Sequence, residues 1–123
     1  MIYGIGNDLI EIARVLKACR SESFVSKVYT DSERREASEH MRRLAGDFAV
    51  KEAVAKALGT GFAGFGPMDI EVLRDDNGRP YAVLHGGAAH LAEEKHITGV
   101  HVSISDTDSL VSAVAVCECS APE

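Results

Sequence analysis

The stretch GDFAVKEAVAKALGTG, Gly46 to Gly61, decides how this chain folds. Phe48, Ala49, Val50, Ala53, Val54, Ala57 and Leu58 are apolar around more than half of a helical circumference, which predicts a helix buried on most sides. Lys51, Glu52 and Lys56 nevertheless interrupt it. Glu52 and Lys56 stand four residues apart and share a face, and the small Ala49, Ala53 and Ala57 beside them let another backbone come close. Such a stripe has two readings: an ordinary i,i+4 salt bridge at the rim of a core, worth about 0.3 to 0.5 kcal/mol, or a functional site. Gly59-Thr60-Gly61 ends the helix, because glycine tolerates the left-handed conformation of a C-cap.

Towards the N-terminus, Ile2 to Leu9 reads as a strand with Ile2, Gly4, Gly6 and Asp8 on one side and Tyr3, Ile5, Asn7 and Leu9 on the other. Two glycines on one face predict close packing there. They do not open a dinucleotide fingerprint, since Leu9 stands where the third glycine belongs. Asp8 falls where the strand is expected to give way to a helix with the apolar stripe Leu9, Ile12, Val15, Leu16 and Cys19, and its bland role is to cap that helix. Glu11, Arg14 and Lys17 lie near its polar side. A short apolar piece around Phe24, Val25 and Val28 follows. Thr30-Asp31-Ser32-Glu33 is then a capping box opening a helix charged on most sides, and a turn near Ser38 to Met41 leads into the long helix.

Beyond it, Gly61, Gly64, Gly66 and Pro67 mark an irregular loop without the Gly-Lys-Ser/Thr ending of a nucleotide P-loop. Met68 to Leu73 and Pro80 to Leu84 form a hairpin around Asp75-Asp76-Asn77-Gly78. Gly86-Gly87 opens a helix with Ala88, Leu91 and Ala92 inward. His85, His90 and His96 are expected at the surface. A second hairpin runs from Gly99 to Ser105, turns at Asp106 to Ser109, and returns from Leu110 to Cys117. His101, Ser103 and Ser105 share one face of it, either an exposed polar face or the lining of a ligand groove. The fold class is therefore α+β with a largely antiparallel sheet and packed helices. Residues 1–119 make a single domain, and residues 120–123 are expected to fray.

Composition narrows the function. The 123 residues carry a net charge of −6, which argues against a general nucleic-acid binder. From Arg14 to Arg43, however, eight Lys or Arg stand against five acids, a basic surface fit either for solvent or for an acidic partner. No apolar run of membrane-spanning length exists, and the chain starts directly on a strand with no signal peptide, so the expected address is the cytoplasm. Cys19, Cys117 and Cys119 are odd in number and lack paired CxxC spacing, which makes structural zinc improbable and fits a reducing compartment.

Four pieces stand in one order: GIGNDLIEIARV, FAVKEAVAKALGTG, NGRPY and HVSISDT. Together they resemble the holo-acyl-carrier-protein synthase family, short bacterial 4′-phosphopantetheinyl transferases, over essentially the whole chain. The resemblance implies transfer of 4′-phosphopantetheine from coenzyme A to a serine of an apo acyl carrier protein in lipid synthesis, releasing adenosine 3′,5′-bisphosphate. It implies a homotrimer with shared active sites and Mg²⁺ held by Asp8 and Glu52. Lys56 joins them as catalytic. Lys51, Lys56, Gly59, Gly61, Ser103 and Asp106 are implied as coenzyme A contacts, and Arg14, Lys17 and Arg20 as the grip on the carrier, to which Arg42 or Arg43 could add. Cleaving a pyrophosphate requires such chemistry, since Mg²⁺ takes one or two carboxylates with phosphates and water. The chain departs from many relatives in carrying Asp47 where they have Arg and Asp106 where they have His, which removes two cationic contacts to a coenzyme A phosphate. A noncatalytic coenzyme A or carrier-binding module would share the groove and basic helix. A Mg²⁺-dependent phosphohydrolase would share the carboxylates.

Overall fold

The computed structural model describes residues 1–120. Strand β1 (Ile2–Glu11) leads into α1 (Ile12–Ala18), α2 (Glu22–Val28), α3 (Asp31–Glu36) and α4 (Arg42–Ala57). After a short 3₁₀ turn (Pro67–Asp69) come β2 (Ile70–Arg74), β3 (Pro80–Leu84), α5 (Gly86–Glu94), β4 (Ile97–Asp106) and β5 (Leu110–Cys119). One antiparallel sheet has the order β1-β5-β4, and β2-β3 is a separate antiparallel hairpin. The α+β class and both hairpins are as expected from the sequence. Ser120 donates its N–H to His96 O, and the remainder of the expected tail, residues 121–123, lies outside the described residues.

α4 is the axle. Eleven of its sixteen residues are buried, so a solvent-facing side hardly exists, as the apolar residues around its circumference require. Its Ala49, Val50, Ala53, Val54 and Ala57 pack with Val111, Ala113, Ala115 and Cys117 of β5 and with Ile70 and Val72 of β2 into one core. A second cluster, Val25, Val28, Tyr29, Ala37 and Leu44, roofs the other end of the helix.

Gly4 and Gly6 let β1 lie directly on α4. A β-carbon on Gly4 would collide with the carbonyl oxygen of Ala57, and one on Gly6 with that of Ala53. The strand runs two residues further than its pattern implied, through Glu11, and this corrects two expectations. Leu9 is a strand residue on the outer face of the sheet, 64% exposed, and contributes nothing to α1. Asp8 lies within β1 opposite Ala113 and caps no helix; the N-cap of α1 is Glu11, without a side-chain hydrogen bond.

The capping box forms as expected, with Thr30 Oγ1 accepting from Glu33 N at 3.2 Å and Glu33 Oε1 accepting from Thr30 N at 2.8 Å. Glu33 is nevertheless fully buried, although the helix is charged on most sides. Its second oxygen accepts from Val72 N at 2.8 Å and faces Lys51 Nζ at 2.9 Å, so one carboxylate ties α3, α4 and β2 together.

Candidate functional site

Residues on the inner side of β1 face α4, and Asp8 is the next in that series after Gly4 and Gly6. The close approach that those glycines permit delivers the Asp8 carboxylate to the C-terminal half of the helix. Lys56 Nζ reaches across to Asp8 Oδ1 at 3.2 Å and donates to Asn7 O at 3.0 Å. The i,i+4 pair considered from sequence is thus replaced by a bridge between two elements: Lys56 answers Asp8, and Glu52 one turn earlier has no ion pair among the described residues.

Glu52 is half-buried, and its carboxyl is held above the usual carboxylate range. Burial is the main cause, the Asp8 charge adds to it, and Lys56 opposes both. Two carboxylates on separate elements therefore repel one another across a gap that a single lysine only partly neutralises. The described residues contain no group of three or more His, Cys, Asp or Glu able to enclose a metal. Two carboxylates fit Mg²⁺ nonetheless, since that ion completes its octahedron with water and phosphate oxygens and takes few protein ligands.

Gly59 and Gly61 follow directly on α4, with φ of 89° and 59°, in the left-handed region that favours glycine. A β-carbon on Gly61 would meet nothing within 4 Å, so the backbone there is open to a ligand. Ser103 lies elsewhere. It pairs with Val114, on the outer face of the sheet with His101 and Ser105, whereas Asp8 and its neighbour Ala113 belong to the inner face. Within one protomer the fold does not bring Ser103 to Asp8 and Glu52.

Lys51 is corrected outright. Its side chain is 0% exposed, bridged to Glu33, donating to Pro67 O at 2.9 Å and Ile70 O at 2.6 Å, and lying 5.8 Å from the centre of the Tyr29 ring. Burial lowers its pKa and Glu33 opposes that. An ammonium with every donor engaged in the interior cannot reach coenzyme A, and Lys51 instead fixes the 67–70 segment against α4.

Arg14 and Lys17 project into solvent from α1, and Arg20 follows just after its end. Beside them a groove of about 480 Å³ is lined by Leu9, Arg14, Val15, Phe24, Phe48 and Leu110, among others. The rings of Phe24 and Phe48 lie 6.0 Å apart. The sequence places Phe48 on the buried helix and Phe24 in a short apolar piece, and only their partial exposure shows them as an apolar floor beside the basic helix.

The two departures occupy neighbouring ground. Asp47, 2% exposed, accepts from Arg74 Nη1 at 2.7 Å, and burial pushes its carboxyl up to about 6 despite that arginine. Asp106 is bridged to Arg42 at 3.1 Å. Arg74 carried no signal in the sequence, because an arginine at the end of a hairpin strand looks like any solvated one.

Comparison with known proteins gives a consistent result. Residues 4–114 match the family model described as the 4′-phosphopantetheinyl transferase superfamily. The chain is 50% identical over 118 residues to the holo-[acyl-carrier-protein] synthase of Lachnoclostridium phytofermentans, covering 96% of this chain and 97% of that one. The crystal structure of the synthase from Neisseria meningitidis superimposes with a TM-score of 0.87 at 32% identity over 96% of this chain and 99% of that one. The Bacillus anthracis synthase, solved in complex with coenzyme A (3′,5′-ADP), gives a TM-score of 0.81 at 35% identity over 98% and 99%.

Proposed function

The chain belongs to the 4′-phosphopantetheinyl transferase superfamily, and from that premise we infer that Asp8, Glu52 and Lys56 carry out phosphopantetheine transfer. It is a holo-acyl-carrier-protein synthase: coenzyme A is its substrate and an apo acyl carrier protein its acceptor. The observation that carries the assignment of residues is the convergence of Asp8 from β1 with Glu52 and Lys56 from α4, which only the paired glycines allow.

Asp8 and Glu52 would hold Mg²⁺, which when bound neutralises pyrophosphate charge. The carrier serine oxygen forms a bond to the pantetheine-bearing phosphorus, and the bond from that phosphorus to the leaving adenosine 3′,5′-bisphosphate breaks. Lys56, exposed and held by Asp8 and Asn7 O, meets the negative charge on the transferring phosphoryl group. Glu52 is also the carboxylate that would accept the serine proton, directly or through a water. Gly59 and Gly61 border this site and let the substrate lie close to the backbone.

Arg14, Lys17 and Arg20 take acidic side chains of the carrier, and the Phe24 and Phe48 groove takes an apolar one. A homotrimer is supported by the outer sheet face. There Ile5 is 68% exposed and Val114 43%, with Leu9 and Leu110 beside them, an apolar patch that one protomer leaves uncovered. A neighbour on that face would enclose Ser103. Among the described residues no helix is long and apolar enough to cross a membrane.

Asp8→Asn and Glu52→Gln keep shape and remove one charged oxygen ligand each. Each should lower kcat by at least about a hundredfold, raise the Mg²⁺ requirement, and abolish any Mg²⁺-dependent rise in melting temperature. The double variant should lose little beyond the worse single, because residues acting as a unit are not additive. Near-normal turnover in folded Glu52→Gln at ordinary Mg²⁺ overturns the assignment.

A further inference from the structure

Of the ion pairs among the described residues, Glu33–Lys51 alone has both side chains wholly withdrawn from solvent. The ammonium of Lys51 has three donors, and three oxygens surround it: Glu33 Oε2 at 2.9 Å, Pro67 O at 2.9 Å and Ile70 O at 2.6 Å. Glu33 is itself held at both oxygens, by Thr30 N at the head of α3 and by Val72 N in β2. A pair of this kind brings little net stability, because withdrawing two charges from water offsets most of their attraction and packed apolar side chains serve as well. Its place on the helix is what matters. The very next residue is Glu52.

We propose that the buried Glu33–Lys51 pair sets the rotation of α4 about its own axis and so aims the Glu52 carboxylate at Asp8, with Lys51 and Glu33 acting as positioning residues. The inference rests on Glu52 and Asp8 acting together in transfer, and it names what aligns them. On the β1 side α4 meets only glycine, Gly6 at Ala53 O and Gly4 at Ala57 O; that contact fixes how close the elements lie but offers no side chain to register a rotation. Ala53 and Ala57 stand about 200° and 240° round the helix from Lys51, so Lys51 anchors the side opposite β1. Most of the buried residues of α4 are alanine and valine, smooth shapes that pack at more than one angle. Asp47, one turn earlier, anchors the same side through a single bond to Arg74. A turn of α4 by about 10° carries a side chain at a radius of about 5 to 6 Å through about 1 Å, a misplacement that can cost on the order of a hundredfold in rate.

The test is the paired variant Glu33→Gln, Lys51→Met, which removes both charges with little change in volume and strands neither in the interior. The folded protein should show kcat lowered about tenfold or more, with KM for coenzyme A and for the apo carrier within about twofold of wild type. In its NMR spectrum the amide signals of Gly6 and Asp8, across the helix from the replaced side chains, should move. Glu33→Gln alone keeps both carbonyl contacts of Lys51 and should fall between the pair and wild type; it decides the matter if the paired variant does not fold. Val28→Ala opens a cavity at the N-terminal end of α4 and leaves the ion pair intact, so it should melt lower while the folded protein keeps kcat near wild type. Wild-type kcat in the folded paired variant or, failing that, in Glu33→Gln overturns the alignment, as does an equal loss of kcat in Val28→Ala. Near-normal turnover in folded Glu52→Gln overturns the role of Glu52 instead.

Discussion

Glu52 is a residue that the fold disfavours in its charged form, because burial and the Asp8 carboxylate both raise its affinity for a proton. The native state therefore binds that proton more tightly than the unfolded chain does. The stability associated with it is present below the ordinary carboxylate pKa and is lost as pH rises through the raised value. Glu52→Gln, which never ionises, should accordingly melt higher than wild type at neutral pH while losing turnover, and the gap should close towards pH 4. Differential scanning calorimetry across that range checks the sign; a variant less stable than wild type at pH 7 would point to a simple salt-bridge role. Asp8 and Glu52 stand out in the sequence only through the family pattern, because they lie on separate elements and no local spacing links them. Lys51 was not placed correctly, since a lysine next to Glu52 on a helix turns about 100° away from it, here into the interior beside Glu33. Arg74 was invisible, because its partner Asp47 lies 27 positions away and no local pattern links them.

The β1 and α4 elements meet through backbone rather than side chains, and the site depends on that contact. Gly6→Ala would drive a methyl into the carbonyl of Ala53 and lift the strand that carries Asp8. Overpacking of this kind costs about 1 to 3 kcal/mol, so the melting temperature should drop by several degrees. Turnover should fall further than the folded fraction does, since Asp8 is displaced from Lys56 while remaining intact; parallel melts and kcat measurements separate the two, and loss of activity matched to loss of fold would contradict this placement. The α4 helix itself was readable because apolar residues on most sides leave it no alternative to burial. The helix expected from Leu9 was misjudged because an apolar residue exposed on an uncovered sheet face has the same sequence signature as one on a helix stripe. Only the pairing of Leu9 with Ser112 distinguishes them.

At the scale of the molecule, the outer face of the sheet carries bare apolar residues, and Ser103 stands on that face, away from Asp8. The proposed trimer, closing over Ile5 and Val114, would cover the patch and enclose Ser103. Val114→Glu should give a smaller species by light scattering, with transfer activity greatly reduced; a fully active monomer would remove the shared-site arrangement. The bare face could not be read from composition, because exposed apolar residues on a strand resemble core residues until the sheet's other face is seen to be filled by α4. Purified protein, coenzyme A, Mg²⁺ and an apo acyl carrier protein should yield, by intact mass spectrometry, carrier heavier by one phosphopantetheine group at a single serine, with one adenosine 3′,5′-bisphosphate released for each. An unmodified carrier, whether coenzyme A stays intact or is hydrolysed to the bisphosphate without it, would contradict the account.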